Sequence, residues 1–149
     1  MPEFMQSEPY RVIWLVRRLF RSLAHKSDEL LEEFGISAAE RAVLEFLYPE
    51  TRLSVPQVAR RYRVSRQHVQ VTANSLTDKG LVETLENPRH KRSPLIQLSA
   101  RGHALFSRVL ANDQRVVESL FSGLPAADLA ATRRTLRILL DELEGGELQ

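Results

Sequence analysis

A mainly helical chain with one small antiparallel β-hairpin is what the sequence predicts. Three observations carry that expectation. Apolar residues recur at three- and four-residue intervals along both ends of the chain. Two short helical stretches meet across a tight connection near its middle. Two strand-like runs then flank a turn-rich basic loop.

The first element is one long helix, "EPYRVIWLVRRLFRSLAHKSDELLEEFG". Val12, Ile13, Val16, Leu19, Phe20, Leu23, Leu30, Leu31 and Phe34 keep helical spacing, and Gly35 suits a C-terminal cap. Trp14 and Leu15 widen the stripe, and a helix apolar over most of its circumference calls for more than one neighbour. The second helix begins near Ser37, which stands in capping-box spacing with Glu40. Ala42, Val43, Phe46 and Leu47 give it a buried side, and Pro49 ends it. "SVPQVARRYRV" is a short helix capped by Ser54, with Pro56 in its first turn and Gln57 at the third position. Val55, Val58 and Ala59 face inward.

The next helix runs from Ser65 to Gly80. Val69, Ala73 and Leu76 form a narrow apolar stripe opposite Gln67, Gln70, Val71, Asn74 and Asp78. "LVETLE" and "PLIQLS" read as two strands. Ser99 caps a further helix, and Pro125 opens a last one ended by Gly145 and Gly146. Helix, tight turn, helix and hairpin in that order make a winged helix-turn-helix. The chain divides into an N-terminal extension at 1–9, a long helix at 10–36, the winged helix-turn-helix at 37–98 and terminal helices at 99–149.

Composition narrows the function. With 43% hydrophobic and 27% charged residues, a globular fold is expected rather than disorder. No apolar run approaches the ~20 residues of a membrane span. The N-terminus lacks the pattern of a signal peptide. "MPEF" precedes a second methionine and reads as a cloning remnant, so Met5 is the expected natural start. Cysteine is absent, which excludes disulfides, thiolate nucleophiles and cysteine metal sites, and a cytoplasmic location is expected. There is no P-loop, GxGxxG or HExxH, and the four histidines are scattered. Neither an enzyme nor a metal or other cofactor is expected.

Positive charge is confined to the middle third. Residues 1–50 carry 6 Lys/Arg and 9 Asp/Glu, residues 51–102 carry 10 and 3, and residues 103–149 carry 5 and 7. A basic middle between acidic ends is the footprint of a polyanion-binding centre. Gln67, Gln70 and Asn74 can each donate and accept, as base reading in a major groove requires, and Val71 can lie against a thymine methyl. From Gln67 through Thr77 there is no Lys, Arg or Glu, the residues that a merely solvated helix face favours. Ser65 and Arg66 suit phosphate contacts at the helix start. Some of Arg52, Arg60, Arg61 and Arg63 are expected on the phosphate backbone, with surface ion pairs the alternative for Arg60 and Arg61. The tip "NPRHKRSP" holds four residues that are or can become cationic and no acid. Such a loop can reach an adjacent minor groove; charges that merely blunt a sheet edge are the alternative. The expected DNA-contact set is Ser54, Arg63, Ser65, Arg66, Gln67, His68, Gln70, Val71, Asn74, Arg89, His90, Lys91 and Arg92.

The combination resembles the MarR family of bacterial transcription regulators from about Tyr10 to Leu143. It is carried by "SVPQVARRYRVSRQHVQVTANSLTDKGLVE" and "NPRHKRSPLIQLSARG", with Leu76, Lys79, Gly80, Leu81 and Val82 at the helix exit and Leu98, Ser99 and Gly102 after the wing. The family wing usually reads "DPRDRR". The resemblance implies that Arg92 enters the minor groove and that Arg89 braces the wing against an acid. That acid is Asn87 here, so an amide hydrogen bond is the candidate brace, and a second family acid is His90. Both changes remove negative charge, so stronger and more salt-sensitive attraction to DNA is expected.

The resemblance also implies a homodimer formed by the first and last helices. The apolar surface of those helices exceeds what a small winged helix covers, although a self-contained bundle is the alternative. A two-fold dimer implies a pseudo-palindromic operator with half-sites about 34–36 Å apart, and a repressor by promoter exclusion. Family members often sense small aromatic or anionic effectors. Trp14, Arg17, Phe20, Phe46 and Tyr48 are the candidates for such a pocket, with ordinary core packing the competing role for the aromatics. Two rivals stand beside DNA binding: a winged-helix protein–protein module, and a ligand-binding dimer without DNA contact.

Overall fold

A computed structural model describes residues 1–145 of the chain. A single 3₁₀ turn at Glu3–Gln6 leads into α1, Glu8–Phe34. Gly35 ends α1 in the left-handed region at φ 70°, and Ile36 N–H closes back on the Leu31 carbonyl at 3.2 Å. The next helix, α2, spans Ala38–Leu47. Its capping box is complete: Glu40 N–H donates to Ser37 Oγ, and Ser37 N–H donates to Glu40 Oε1, both at 3.1 Å.

Strand β1 is only Leu53–Ser54 and passes directly into α3, Val55–Tyr62. Arg63 closes α3 at φ 56°, and α4 follows as Arg66–Asp78 with Ser65 as its N-cap. The wing stem is β2, Val82–Leu85, and β3, Leu95–Leu98. The last helices are α5, Ala100–Phe121, and α6, Ala126–Gly145. Gly146, expected in the stop after α6, lies outside the described residues.

The sheet differs from the expected hairpin. It has three antiparallel strands in the order β1-β3-β2, with Leu53 opposite Ile96 and Val82 opposite Leu98. A two-residue strand leaves no alternating pattern, and its partner lies more than forty residues away, so local sequence could not disclose it.

Residues 1–110 form one compact unit, and a second begins at Ala111, inside α5. The core of the first unit gathers Val43, Leu44 and Leu47 of α2, Val58 of α3, Val69 and Leu76 of α4, and Phe106 and Val109 of α5. The opening turns of α5 therefore belong to the winged core. Gly102 makes their seat possible. A Cβ there would overlap the Leu81 carbonyl oxygen and lie 2.9 Å from its carbon. Ser99 ties the junction, with its N–H on the Leu81 carbonyl at 3.0 Å and its hydroxyl on the Gly80 carbonyl at 2.7 Å.

Much apolar surface stays uncovered within the chain. Of the whole of α1, only Leu31 is buried, whereas Trp14, Leu15, Leu19 and Phe20 are exposed. In the second unit Val117, Leu120, Phe121, Ile138 and Leu143 are exposed as well.

Candidate nucleic-acid interface

The inner stripe of α4, Val69, Thr72, Ala73 and Leu76, is buried. That burial fixes which side faces out. Gln67, His68, Gln70, Val71 and Asn74 are all exposed, and among the described residues of α4 Val71 is the one large hydrophobic that is. Ser65 Oγ accepts the His68 N–H at 3.0 Å, so this hydroxyl begins the helix. Gln70 Nε2 donates to Asn74 Oδ1 at 2.9 Å, one helical turn on. The pair leaves an acceptor on Gln70 and two donors on Asn74, the set needed against an adenine edge.

The wing is held without charge. Asn87 Oδ1 accepts the Arg89 N–H at 3.1 Å, and Asn87 Nδ2 donates to the Ser93 carbonyl at 2.9 Å. The His90 N–H on the Asn87 carbonyl and the Ser93 N–H on the His90 carbonyl, both 3.1 Å, complete the loop. Only an amide can do both jobs of Asn87, because a carboxylate has no hydrogen to give Ser93.

The four cationic positions are distributed around the wing. Arg92 lines a cavity of about 350 Å³ between α4 and the wing stem, opposite Arg66, Gln67, Gln70 and Asn74. Arg89 and His90 line a cavity of about 660 Å³ on the α3 side. Lys91 lines a third, of about 640 Å³, along β2 and the wing. Residues from α4 and from the wing thus line one cavity of the first unit. Arg63 is exposed in the turn between α3 and α4. Ser54 lines the cavity of Arg89 and His90 but is the buried member of the expected set. It is 5% exposed and paired in β1, and its hydroxyl is held 3.2 Å from Gln57 Oε1. It stands at the N-cap of α3, where its N–H and its hydroxyl both meet Gln57 Oε1.

The MarR family model matches residues 34–93, which run from the end of α1 through α4 and the wing. An uncharacterised protein of Mycobacterium tuberculosis, Rv2011c, is 39% identical over 140 residues, 94% of this chain and 97% of that one. The chain belongs to the MarR family. The HTH-type transcriptional repressor MdtR of Bacillus subtilis is 25% identical over 90% of this chain and 86% of its own. Among solved structures, Streptococcus pneumoniae FabT in complex with DNA superposes with a TM-score of 0.81, covering 93% of this chain and 99% of that one, at 19% identity. MarR proteins are transcriptional regulators and not enzymes.

The helix exit that marks a MarR chain also has a structural task here. Lys79 Nζ reaches Glu40 Oε1 at 2.8 Å and the Gly35 carbonyl at 2.9 Å. One ammonium thereby joins the end of α4 to the cap of α1 and the start of α2. Sequence reading found Glu40 as a cap and Lys79 as a motif position, but nothing local announces that they meet. Burial alone pushes the Glu40 carboxyl up; the hydrogen bonds from Lys79 and Ser37 outweigh it and hold the group below its ordinary 4.5. A lowered folded-state value means that the stability it confers is full above the unfolded value and is lost as pH falls through the folded one. Urea denaturation from about pH 7 down to about pH 3 is expected to show this acid loss in the wild type. Glu40→Gln is expected to be less stable at neutral pH and to lose less on acidification.

The five effector candidates lie in two places among the described residues. Trp14 and Phe20 are exposed on α1, where Arg18 lies 4.8 Å over the Trp14 ring, and Arg17 is exposed beside them. Phe46 stacks edge-on to Tyr62 at 6.0 Å, and Tyr48 lies against His103 and Phe106 at 5.0 and 5.3 Å. Those two aromatics pack in the first unit.

Proposed function

We propose that this MarR-family chain binds a pseudo-palindromic DNA operator as a homodimer and represses transcription from it. One observation carries the reading: an exposed amide pair on α4 sits beside a wing whose Arg89, His90 and Arg92 line cavities that hold no acid. In this reading α4 enters the major groove. Gln67, Gln70, Val71 and Asn74 meet base edges, Ser65, Arg66 and His68 lie at the helix start near phosphates, and the wing reaches the neighbouring minor groove. The FabT complex with DNA and the repressor name of MdtR support the reading by likeness. The uncovered apolar faces of α1 and of the second unit support a two-fold partner. The polar outer face of α4 disfavours a protein–protein module, which would need an apolar patch there. A small aromatic or anionic effector is what family likeness suggests for release, but the scattered candidate aromatics do not strengthen it.

Selection of duplexes from a random pool, followed by anisotropy against salt, tests the function. A preferred palindromic duplex and steep salt dependence are expected; binding without preference or salt dependence would refute it. On the selected duplex, Gln70→Ala and Asn74→Ala are each expected to cost about 1–3 kcal/mol of base discrimination. Because the two amides hold each other, the double variant is expected to lose less than the sum of the singles. Strict additivity would show that they read independently.

A further inference from the structure

The link from α1 to α2 is Gly35, Ile36 and Ser37 alone. Of α1, only Leu31 and Phe34 join the core cluster of the winged unit, both in its last turn. The Arg108 guanidinium lies 5.3 Å from the Phe34 ring. A short link and a last-turn contact place a hinge at Gly35. The backbone there is left-handed at φ 70°, and an added Cβ would meet nothing within 4 Å.

One side chain spans that hinge. Lys79, the C-cap of α4, donates from Nζ to the Gly35 carbonyl at 2.9 Å and to Glu40 Oε1 at 2.8 Å. The Glu40 carboxylate is itself fixed. Its side chain is 7% exposed, its Oε1 accepts the Ser37 N–H at 3.1 Å, and its Oε2 lies 3.5 Å from the Ser75 hydroxyl. A charge-assisted bond to a carboxylate already held in place costs less side-chain freedom than a pair between two exposed side chains.

We propose that the Lys79–Glu40 pair is a strut that fixes the tilt of the winged core on α1, and through it the half-site spacing that a dimer accepts. The proposal rests on the reading of a homodimer that binds an operator. It deepens that reading by assigning spacing to two positioning residues outside the expected DNA-contact set. In that reading a second copy holds the exposed apolar face of α1, with Trp14, Leu15 and Phe20. A core that tilts on α1 then changes the separation of the two α4 helices. Gln67 precedes Lys79 by twelve residues, about 18 Å along α4 at ~1.5 Å per residue. A tilt of about 10° about Gly35 therefore moves the reading end by roughly 3 Å, close to the ~3.4 Å rise of one base pair. Slack at the pivot becomes a base-pair step at the DNA. Preference for bases within a half-site belongs to the outer face of α4 and does not pass through the hinge.

The test uses a Glu40→Gln/Lys79→Met variant. It removes the strut, leaves no buried charge unpaired and keeps an oxygen for the Ser37 cap. Circular dichroism melting sets an assay temperature at which each variant is folded. Should the double variant not fold, Lys79→Gln, shorter and uncharged, takes its place. Affinity is measured on the selected duplex, on duplexes with one base pair added or removed between half-sites, and on duplexes with one base changed inside a half-site. The wild type is expected to bind the shifted spacings about tenfold more weakly. The double variant is expected to narrow that gap about threefold or more, with the wild-type loss for the changed base. Lys79→Arg, which can donate to both oxygens, is expected to restore the wild-type spacing profile.

A DNA-free measurement reads the tilt itself. The chain has no cysteine, so a spin label on Gln67→Cys reports the distance between the two α4 helices of a dimer by double electron–electron resonance. Adding the double substitution is expected to broaden that distribution by roughly 3 Å, and adding Lys79→Arg is expected to leave it narrow. An unchanged spacing profile or an unchanged distance distribution in the folded variant would overturn the strut. So would loss of base preference in step with spacing preference, which would make the pair a support of α4 alone. Absence of dipolar coupling in the labelled wild-type background would instead remove the dimer beneath the proposal. Failure of the wild type to bind any selected duplex would remove the DNA-binding reading.

Discussion

Gly102→Ala is expected to destabilise the protein by about 3 kcal/mol or more, the upper end of what overpacking costs. The usual direction of glycine-to-alanine in a helix is the opposite, a gain of ~1 kcal/mol from propensity. Here the added methyl meets backbone, not a side chain that could rotate away. It overlaps the Leu81 carbonyl oxygen and crowds Leu81 Cα at 3.2 Å. Relief requires α5 to lift from the turn after α4, which breaks the Ser99 bonds to the Leu81 and Gly80 carbonyls. Phe106 and Val109, one and two turns further along, would lift with it and open the core. Thermal melting is the measurement, and a fall in Tm on the order of 10 °C is expected for a chain of this size. A Tm equal to or above that of the wild type would show that α5 sits more loosely than its geometry indicates.

Arg92→Ala is expected to weaken binding to the selected duplex by tenfold to a hundredfold, from the ~1–3 kcal/mol of one well-placed base-edge contact. Arg92 is exposed, so its removal should leave the Tm unchanged. It is also the wing cation that faces α4, across a cavity shared with Gln70 and Asn74. In the proposed binding mode, that placement would let it respond to the same half-site as α4. A narrow A·T tract concentrates negative potential in the minor groove, so the loss should depend on flanking sequence. Duplexes with A·T or G·C flanks distinguish the cases. The wild type should prefer A·T flanks and the variant should not. Equal loss on both would make Arg92 a general attractor of DNA rather than a reader of groove width.

What the sequence made legible follows the range of each interaction. Ser37 with Glu40, Ser65 with His68 and Gly35 after Phe34 act within one turn, and each stands where its spacing places it. The outward face of α4 was legible for the same reason, since Val69, Ala73 and Leu76 fix its inward face. Interactions closed by the fold were not. Leu53 becomes a strand residue only because Ile96 comes beside it. Glu40 becomes a tie between three helices only because Lys79 arrives from 39 residues away. Ser54 shows how little a polar residue near a basic helix tells of its own burial, for it is 5% exposed and paired in β1.

The uncharged brace at Asn87 separates two properties that an acid–arginine brace would tie together. Hydrogen bonds from an amide are nearly indifferent to ionic strength, whereas an exposed ion pair weakens as counterions accumulate. The outline of this wing should therefore be the same in dilute buffer and in brine, while its pull on a polyanion fades. For the cell, osmotic stress would act on such a regulator as a volume control, lowering occupancy without deforming the part that recognises. For the experimenter, salt titrations on this chain count contacts directly, with no refolding of the loop mixed into the slope.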